Sequence, residues 1–401
     1  MMPYRIPLAN PTFEPDGPEV QEALQAMRER KVTMGERTFR AEEMWSRWLG
    51  VKHTILVNSG SMANLLALAA LRERLPKNPR TATPALTWAT TVFPLVQNGY
   101  YPIFFDSSLG TLCIDEKEVV RARGGLELIM PVHFLGQPCD MDELTSAGPP
   151  ILEDACEAPG AEWRGRKIGT FGVASTFSFY FSHHLTMMEG GAVCTDDEEL
   201  AEIVRSLRSF GNIRYLKQRE KIAAENPLFD PRHIFLRVGY NAKPTDVQAA
   251  FLLHQIPKLD AMIAERRSNA EYWIRKLGHH EELMFVREMP PERNSRMGFP
   301  VLVAPGAPFR KDELVAFLEA NGIETRQLEV GNIVEQPVAK RFAWGLRGRL
   351  RNAEYALRNG FFIGCNRLAP EDLDYVVGKF EEFLRGRRGA PSKNRTLGRR
   401  K

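Results

Sequence analysis

Residues 178–191 read Ser178-Phe-Tyr-Phe-Ser-His183-His184-Leu-Thr-Met-Met-Glu189-Gly190-Gly191 and join two short apolar runs, 175–179 and 191–195, that we predict to be β-strands. The first histidine follows the serine by five residues and precedes Glu-Gly-Gly by six. An imidazole takes and gives protons near neutral pH, because its unperturbed pKa is about 6.5. The segment contains no lysine. It can therefore move protons but cannot bond to a carbonyl compound through an amine.

Short apolar runs alternate with longer helical patterns up to residue 245, which is typical of an α/β domain with a largely parallel sheet. Helical patterns begin near Ser61, Thr90 and Asp142, and another covers 197–210. The predicted strands suit one seven-stranded sheet and cover 53–58, 81–85, 101–106, 126–132, 151–154, 175–179 and 191–195.

The pattern changes after Thr245 to that of a smaller α+β domain. Its predicted elements are a long helical run over 248–277, a strand over 299–303, and helices over 311–321 and 370–384. We predict a large α/β domain with an N-terminal arm over 1–245, the smaller domain over 246–384, and a basic, disordered tail over 385–401. A site in such a protein is expected at the carboxyl ends of the strands, between the domains.

Composition is that of an ordinary globular chain, with 43% hydrophobic and 26% charged residues among 401. No apolar run approaches the roughly 18 residues of a membrane-spanning helix, and the amino terminus lacks the order of a secretory signal. We therefore expect a cytoplasmic protein without membrane contact.

The net charge of +4 depends on the tail, which contains eight Lys and Arg and no acid. The rest of the chain is slightly acidic, which argues against specific nucleic-acid binding. The cysteines are odd in number and scattered, without a Cys-x-x-Cys pair, so we expect neither disulfides nor a metal site. They are Cys113, Cys139, Cys156, Cys194 and Cys365.

Several further segments carry residues suited to a binding site. Asn58-Ser59-Gly60-Ser61 follows a predicted strand and opens a helix, whose free N–H groups favour a phosphate. Glu153-Asp154-Ala-Cys-Glu157 ends a buried strand with acids, and Trp88 follows another strand. A fourth segment, 239–250, reads Gly-Tyr-Asn-Ala-Lys-Pro-Thr-Asp-Val-Gln-Ala-Ala.

These segments, in this order, resemble the DegT/DnrJ/EryC1/StrS family of sugar aminotransferases from Ile6 to about Leu384. The resemblance implies a fold-type I, aspartate aminotransferase-like large domain and pyridoxal 5′-phosphate as cofactor. Gly60 and Ser61 would bind its phosphate with the Ser178 hydroxyl, Trp88 would stack on its ring, and Asp154 would keep its ring nitrogen protonated. Glu157 would lie near the ring hydroxyl.

The resemblance also implies roles for residues that do not contact the cofactor ring. Asn241 would reach the cofactor phosphate of a neighbouring subunit, so we expect a homodimer with shared active sites. Arg326 and Asn332 lie in a block from which relatives present groups to the substrate, and Arg326 would pair with the carboxylate of an amino acid. His133 and His184 are expected to be structural.

Two departures from the family pattern carry the functional hypothesis. His183 replaces the lysine that anchors the cofactor as a Schiff base, and Glu157 replaces a glutamine common among the transaminases. With the segments 32–36 and 331–332, these changes resemble the lysine-lacking branch of nucleotide-sugar 3-dehydratases. One subtype of that branch holds an iron–sulfur cluster and contains Cys-x-Cys, which is absent here. The cluster-free subtype is the better match.

We therefore expect a 3-dehydratase that removes the C3 hydroxyl of a nucleotide-linked 4-keto-6-deoxy sugar and releases ammonia. The cofactor would work as non-covalent pyridoxamine phosphate, regenerated from glutamate, and His183 would both remove a proton and protonate the departing hydroxyl. Two alternatives stay open. One is an aminotransferase that uses another lysine, for which the candidates are Lys167, Lys217 and Lys243. The other is a catalytically silent relative that binds a sugar nucleotide or the cofactor.

Overall fold

The computed structural model describes residues 4–288 and 290–387. Its α-helices are α1 (Pro18–Arg28), α2 (Glu36–Leu49), α3 (Gly60–Leu71), α4 (Ala89–Gln97), α5 (Glu116–Ala122), α6 (Met141–Ser146), α7 (Glu198–Arg208), α8 (Arg219–Glu225), α9 (Asp246–Gln255), α10 (Leu259–Leu277), α11 (Lys311–Ala320), α12 (Arg351–Asn359) and α13 (Pro370–Arg387). Its strands are β1 (His53–Val57), β2 (Arg80–Pro84), β3 (Tyr101–Phe105), β4 (Leu128–Ile129), β5 (Leu152–Asp154), β6 (Glu162–Trp163), β7 (Arg166–Lys167), β8 (Ala174–Ser178), β9 (Gly191–Thr195), β10 (Leu283–Phe285), β11 (Glu292–Arg293), β12 (Phe299–Val303), β13 (Thr325–Gln327), β14 (Gly345–Leu346) and β15 (Gly360–Ile363).

The central sheet has the order β1-β9-β8-β5-β4-β2-β3-β14. Parallel bridges from Ile129 to Ile151 and from Val132 to Asp154 join its two halves. β9 runs antiparallel to both of its neighbours, and the remaining pairings are parallel. All seven predicted strands are present, so the predicted mainly parallel sheet is confirmed. The short eighth strand, β14, was not predicted because it is two residues long and belongs to the carboxyl-terminal part of the chain.

The direction of the strands places the site. β1, β2, β5 and β8 all end at one edge of the sheet, where ligands bind in open α/β folds. β9 starts at that same edge because it is antiparallel, and Gly191 pairs with both Val57 and Ser178. A Cβ on Gly191 would lie 2.4 Å from the Ser59 carbonyl oxygen. Only glycine lets β9 begin this close to the start of α3.

A second apolar core lies under the antiparallel sheet β10-β12-β15-β13. It gathers buried side chains from Ala270 to Leu384 together with Ile6. Most buried apolar side chains from Ala249 to Ile263 pack instead in the core of the central sheet, whereas Ala250 and Phe251 pack with Ala23 of α1. The division of the chain at residue 245 stays a prediction. The predicted helical run over 248–277 is divided into α9 and α10 by a 3-10 turn at Ile256–Lys258, because a proline inside a helix removes a hydrogen bond and clashes with the preceding turn.

The carboxyl-terminal helix α13 extends to Arg387, so the first three residues of the predicted tail are helical. The rest of that prediction, over 388–401, falls outside the described residues. Within 4–288 and 290–387, every helix is either too short or too polar to cross a bilayer.

Asp246 ties α9 to the start of α2. One carboxylate oxygen accepts hydrogen bonds from the Gly35 and Thr38 N–H groups, at 2.8 and 3.0 Å, and from the Thr38 hydroxyl. The other oxygen accepts from the Arg37 N–H at 3.2 Å. The side chain is 1% exposed, so water cannot replace these bonds.

We predict that Asp246→Ala lowers the free energy of unfolding by about 2 to 4 kcal/mol, because it leaves several buried donors at the start of α2 without an acceptor. Denaturant unfolding followed by circular dichroism measures the change. Glu220→Ala, at an exposed position in α8, is the control. Equal stability of the two variants would contradict the assigned role of Asp246.

Candidate active site

A cleft of about 240 Å³ opens at the carboxyl ends of the central strands. Its walls bring together most of the residues predicted from the sequence: Gly60, Ser61, Trp88, Asp154, Glu157, Ser178, His183 and Arg326. They come from segments as far apart as residues 60 and 326, and the sheet topology gathers them at one edge. Residues that the sequence did not single out also line the cleft, among them Asn64, Thr91, Cys156 and Glu329.

One end of the cleft is built to receive an anion. Ser59 caps α3, and its hydroxyl oxygen accepts from the Met62 N–H at 3.1 Å. The N–H groups of Gly60 and Ser61 precede the first helical hydrogen bond and have no acceptor within the helix. A Cβ on Gly60 would lie 2.6 Å from the Ser178 Cβ. Glycine therefore allows the helix start and the serine hydroxyl to face the same space, as a bound phosphate requires.

Asp154 ends β5 and is held by a buried polar network. One of its oxygens accepts from Asn64 Nδ2 at 3.0 Å and from Thr91 Oγ1 at 2.8 Å. Asn64 in turn accepts from Thr176 Oγ1 at 2.6 Å. With only 4% of the residue exposed, the carboxylate has a fixed orientation toward the cleft. Such an acid can hold a proton on a ring nitrogen beside it.

Trp88 and Arg326 form the outer wall. Trp88 stands at the N-cap of α4, with 42% of its surface exposed, and therefore does not serve as core packing. The guanidinium carbon of Arg326 lies 5.8 Å from the centre of the indole ring. The indole ring of Trp88 and the guanidinium group of Arg326 thus both line the cleft.

His183 is a neutral imidazole in this site. Its pKa is lowered to about 4, mainly by burial and to a smaller extent by the charges of Arg266 and Arg326, while a hydrogen bond to the Cys156 backbone opposes the shift. Its Nδ1 atom is buried and has no hydrogen-bond partner among the described residues. The expectation of a pKa near 6.5 is therefore corrected: at neutral pH His183 is an uncharged imidazole that is available as a base.

Arg266 lies directly behind this histidine and was not predicted. Its guanidinium, on α10, is 1% exposed and donates to the carbonyl oxygens of Met297 at 2.9 Å, Arg296 at 3.4 Å and His183 at 3.4 Å. Burial lowers the pKa of Arg266, and only the Cys365 thiol and the charge of Glu265 oppose this effect; no ion pair to Arg266 is found in residues 4–288 and 290–387. An unpaired buried cation thus fixes the backbone of the His183 turn and disfavours a second positive charge there.

A pair of carboxyl groups lies in the same cleft. Glu157 is 6% exposed and one of its oxygens accepts from the Leu135 N–H at 2.6 Å. Glu329 is hydrogen-bonded to Glu157, and burial raises its pKa to about 7. Burial, together with the charge of Glu329, also raises the pKa of Glu157 well above its usual range. Glu329 was missed because nothing in its local sequence marks it as a cleft residue.

Two predicted residues lie outside the cleft. Asn241 is exposed and accepts a hydrogen bond from Lys243 Nζ at 2.7 Å. Asn332 is buried and caps the turn Ile333–Glu335, with its side chain bonded to the Val334 N–H and to Glu335. The roles assigned to both residues stay predictions.

The structure gives His133 and His184 internal contacts. His133 Nδ1 accepts from the Cys139 N–H at 3.1 Å, and its Nε2 lies 3.3 Å from Glu153. His184 Nε2 lies 2.9 Å from the Ser295 carbonyl oxygen. Both rings are fully buried outside the set that lines the cleft.

The three lysines considered as alternative anchors do not line the cleft. Lys167 Nζ lies 3.9 Å from the centre of the Trp48 ring and donates to the Trp48 carbonyl. Lys217 pairs with Glu198 at 2.8 Å, and Lys243 lies over the Phe210 ring at 3.8 Å.

Known protein families and individual proteins that match this chain agree with the family that its motifs resemble. A family model described as the DegT/DnrJ/EryC1/StrS aminotransferase family matches residues 15–381. GDP-4-keto-6-deoxy-D-mannose 3-dehydratase of Escherichia coli O55:H7 is 34% identical over 383 residues, which cover 92% of this chain and 98% of that protein. The chain belongs to the DegT/DnrJ/EryC1/StrS aminotransferase family.

Solved structures confirm the fold-type I prediction for this family member. A variant of GDP-4-keto-6-deoxymannose-3-dehydratase with bound GDP-perosamine aligns with a TM-score of 0.89 at 33% identity, over 94% of this chain and 100% of that one. The same kind of enzyme with a trapped PLP-glutamate geminal diamine aligns with a TM-score of 0.88 at 32% identity, over 94% and 100% of the two chains.

We predict that Arg266→Met raises the pKa of His183 from about 4 toward its ordinary value, because the substitution removes a buried positive charge next to the ring. NMR titration of the histidine ring protons measures it, with the signal assigned by its loss in His183→Asn. Arg267→Met is the control, since Arg267 is neutralised by Glu288 at 2.6 Å. An unchanged pKa of His183 in Arg266→Met would contradict the electrostatic role of Arg266.

Proposed function

We propose that this chain is a nucleotide-sugar 3-dehydratase dependent on pyridoxal or pyridoxamine 5′-phosphate. The observation that carries the proposal is a neutral histidine in a cleft with an anion-binding helix start, a fixed aspartate and an aromatic wall, but without a lysine among its lining residues. The substrate class is a nucleotide-linked 4-keto-6-deoxy hexose, which loses its C3 hydroxyl. Glutamate is the amino donor and ammonia is released.

The relatives support this choice of substrate and donor. The 34% identical relative is named for the 3-dehydration of a GDP-linked 4-keto-6-deoxy sugar. The two aligned structures contain GDP-perosamine in one case and a PLP-glutamate adduct in the other. GDP is therefore the first nucleotide to test.

The residues of the cleft fit the cofactor. Gly60, Ser61 and Ser178 would hold the phosphate, Asp154 would face the ring nitrogen, and Trp88 would cover the ring. Its attachment would be non-covalent, because position 183 is a histidine. The chemistry supplied by the bound cofactor is an amine for the 4-keto carbon and a ring that accepts electrons.

His183 is proposed to take a proton from the carbon that joins the cofactor ring to the amine. A base must be unprotonated before it acts, and the low pKa of His183 keeps the imidazole neutral throughout the physiological range. Arg266 would act as a positioning residue through the carbonyl group of His183.

We further propose a homodimer with shared sites and no iron–sulfur cluster. Asn241 is exposed and lies outside the cleft of its own chain, so it is free to reach a cofactor phosphate in a second subunit. Leu228, Phe229 and Val238, in the preceding segment, expose apolar side chains that an interface would cover. For the cluster, Cys-x-Cys is absent from the sequence, and residues 4–288 and 290–387 bring no three His, Cys, Asp or Glu side chains together as a metal site would need.

We expect the purified protein to convert GDP-4-keto-6-deoxymannose, with pyridoxal phosphate and glutamate, to a 3-deoxy product together with free ammonia. His183→Asn is expected to lower kcat by about 10²- to 10⁴-fold, because it removes the base. His183→Lys should also lose dehydration, since a lysine would tie up the cofactor as a Schiff base. Product mass and ammonia are measured together.

The same assay separates the alternatives. A product that retains the nitrogen, with no ammonia, would assign the chain to amino transfer and refute dehydration. Binding of the cofactor or sugar nucleotide without turnover would assign it to the silent class.

Shared sites predict complementation between two defective variants. His183→Asn and Asn241→Asp are each expected to be inactive, the second because it places a negative charge beside the phosphate. A refolded or co-expressed mixture should recover about a quarter of the wild-type activity, since half of the dimers are mixed and each has one intact site. Mixtures that stay inactive, although mass spectrometry detects mixed dimers, would contradict sharing through Asn241.

A further inference from the structure

The two carboxyl groups in the cleft come from different parts of the chain. Glu157 follows β5 of the central sheet, and Glu329 follows β13 of the second sheet. Glu329 has a positive φ of 47°, which is costly for a residue with a side chain. The hydrogen bond between the two side chains therefore links the segments that follow the two sheets, on the wall of the cleft. The backbone of Glu329 is strained at this position.

The pair holds one proton at neutral pH. Two buried carboxylates in contact repel each other, so a hydrogen bond between them requires that one is protonated. The described groups that act on the pair are Arg326, Asp154 and Cys113. Burial is the largest cause of the raised pKa of both glutamates. Asp154 and Cys113 raise the pKa of Glu157 further, whereas Arg326 and the hydrogen bond with Glu157 oppose the rise on Glu329. The net result is a pKa of Glu329 of about 7.

The cleft thus contains a base and an acid in complementary protonation states. His183 is neutral above its pKa of about 4, and the pair retains its proton up to about 7. Between these values one group can remove a proton while the other donates one. A histidine that both removes and returns a proton, as expected from the sequence, has to complete the first transfer before the second.

We propose that the Glu157–Glu329 pair is the general acid of the dehydration and that Glu329, its more exposed member, delivers the proton to the departing C3 hydroxyl. The proposal rests on the function proposed above. In this step the C3–O bond breaks and its electron pair leaves with the oxygen, which takes the proton and departs as water. The electrons that enter at C3 come from the C–H bond whose proton His183 accepts. The pair then regains a proton from solvent.

The test compares two leaving groups. GDP-4-keto-6-deoxymannose and its 3-deoxy-3-fluoro analogue are given to the wild type and to Glu329→Gln, which keeps the size of the side chain and cannot donate a carboxyl proton. A fluoride ion leaves without a full proton transfer, so it depends less on the acid. We expect Glu329→Gln to lower kcat for the hydroxyl substrate by about 10²- to 10⁴-fold and for the fluoro substrate by less than about 10-fold.

The pH profile gives a second kinetic readout. The alkaline limb of kcat/KM, set by the pair near pH 7 in the wild type, should be absent in Glu329→Gln. Glu371→Gln, at an exposed position in the first turn of α13, is the control and should behave as wild type.

A stability measurement tests the shared proton without turnover. Burial raises the pKa of Glu329 to about 7, above the ordinary range of a glutamate, so the wild type loses stability as pH rises through about 7. The glutamine variant loses less, because only the buried Glu157 remains to ionise. The melting temperature of Glu329→Gln should therefore exceed that of the wild type at alkaline pH, with the difference shrinking toward pH 5.

The outcomes are distinct. Equal loss of activity on both substrates, or an unchanged alkaline limb, would overturn the acid role and return the proton transfer to His183. Equal melting curves at all pH values would overturn the shared proton. A wild type that produces no 3-deoxy sugar would instead refute the proposed function, while the melting experiment would still report on the pair.

Discussion

The close approach of the start of α3 to β8 and β9 is the constraint on which the site depends. Gly60 and Gly191 lie where a single added carbon would collide with Ser178 and with the Ser59 carbonyl. This contact brings the free N–H groups of the helix, the serine hydroxyl and the beginning of the Glu-Gly-Gly strand into one place. The antiparallel direction of β9 is part of the same arrangement, because only that direction starts the strand at the edge where β5 and β8 end.

Burial gives His183 a definite chemical state. An exposed imidazole would exchange its proton freely near neutrality, whereas the cleft and the buried guanidinium of Arg266 keep this ring uncharged. Arg266 itself is stable only because three carbonyl groups accept its hydrogen bonds. The packing of α10 against the His183 turn thus sets both the position of the ring and its protonation state.

The sequence predicts the parts of the site that follow strands. Asp154 and Trp88 follow predicted strands, and Gly60 begins a helix after such a strand, which places them at the expected edge of the sheet; their roles and that of Ser178 came from the resemblance to the family. Arg266 could not be found in this way, since it lies within a long helix where most arginines face solvent. Its function depends on the approach of the 296–297 backbone and the His183 turn, which no local pattern records.

The protonation state of the Glu157–Glu329 pair could not be predicted from local sequence either. Glu329 follows Arg326 by three residues. In an isolated segment it would ionise beside that cation, as any exposed glutamate does. It keeps a proton up to about pH 7 because the turn after β13 buries it in the cleft, beside a Glu157 side chain that accepts from the Leu135 N–H. A proton at this place is therefore a property of the packed cleft, and its pKa lies apart from that of His183 because burial raises the pKa of a carboxyl group and lowers that of an imidazole. That separation lets one small cleft act as acid and base at the same pH.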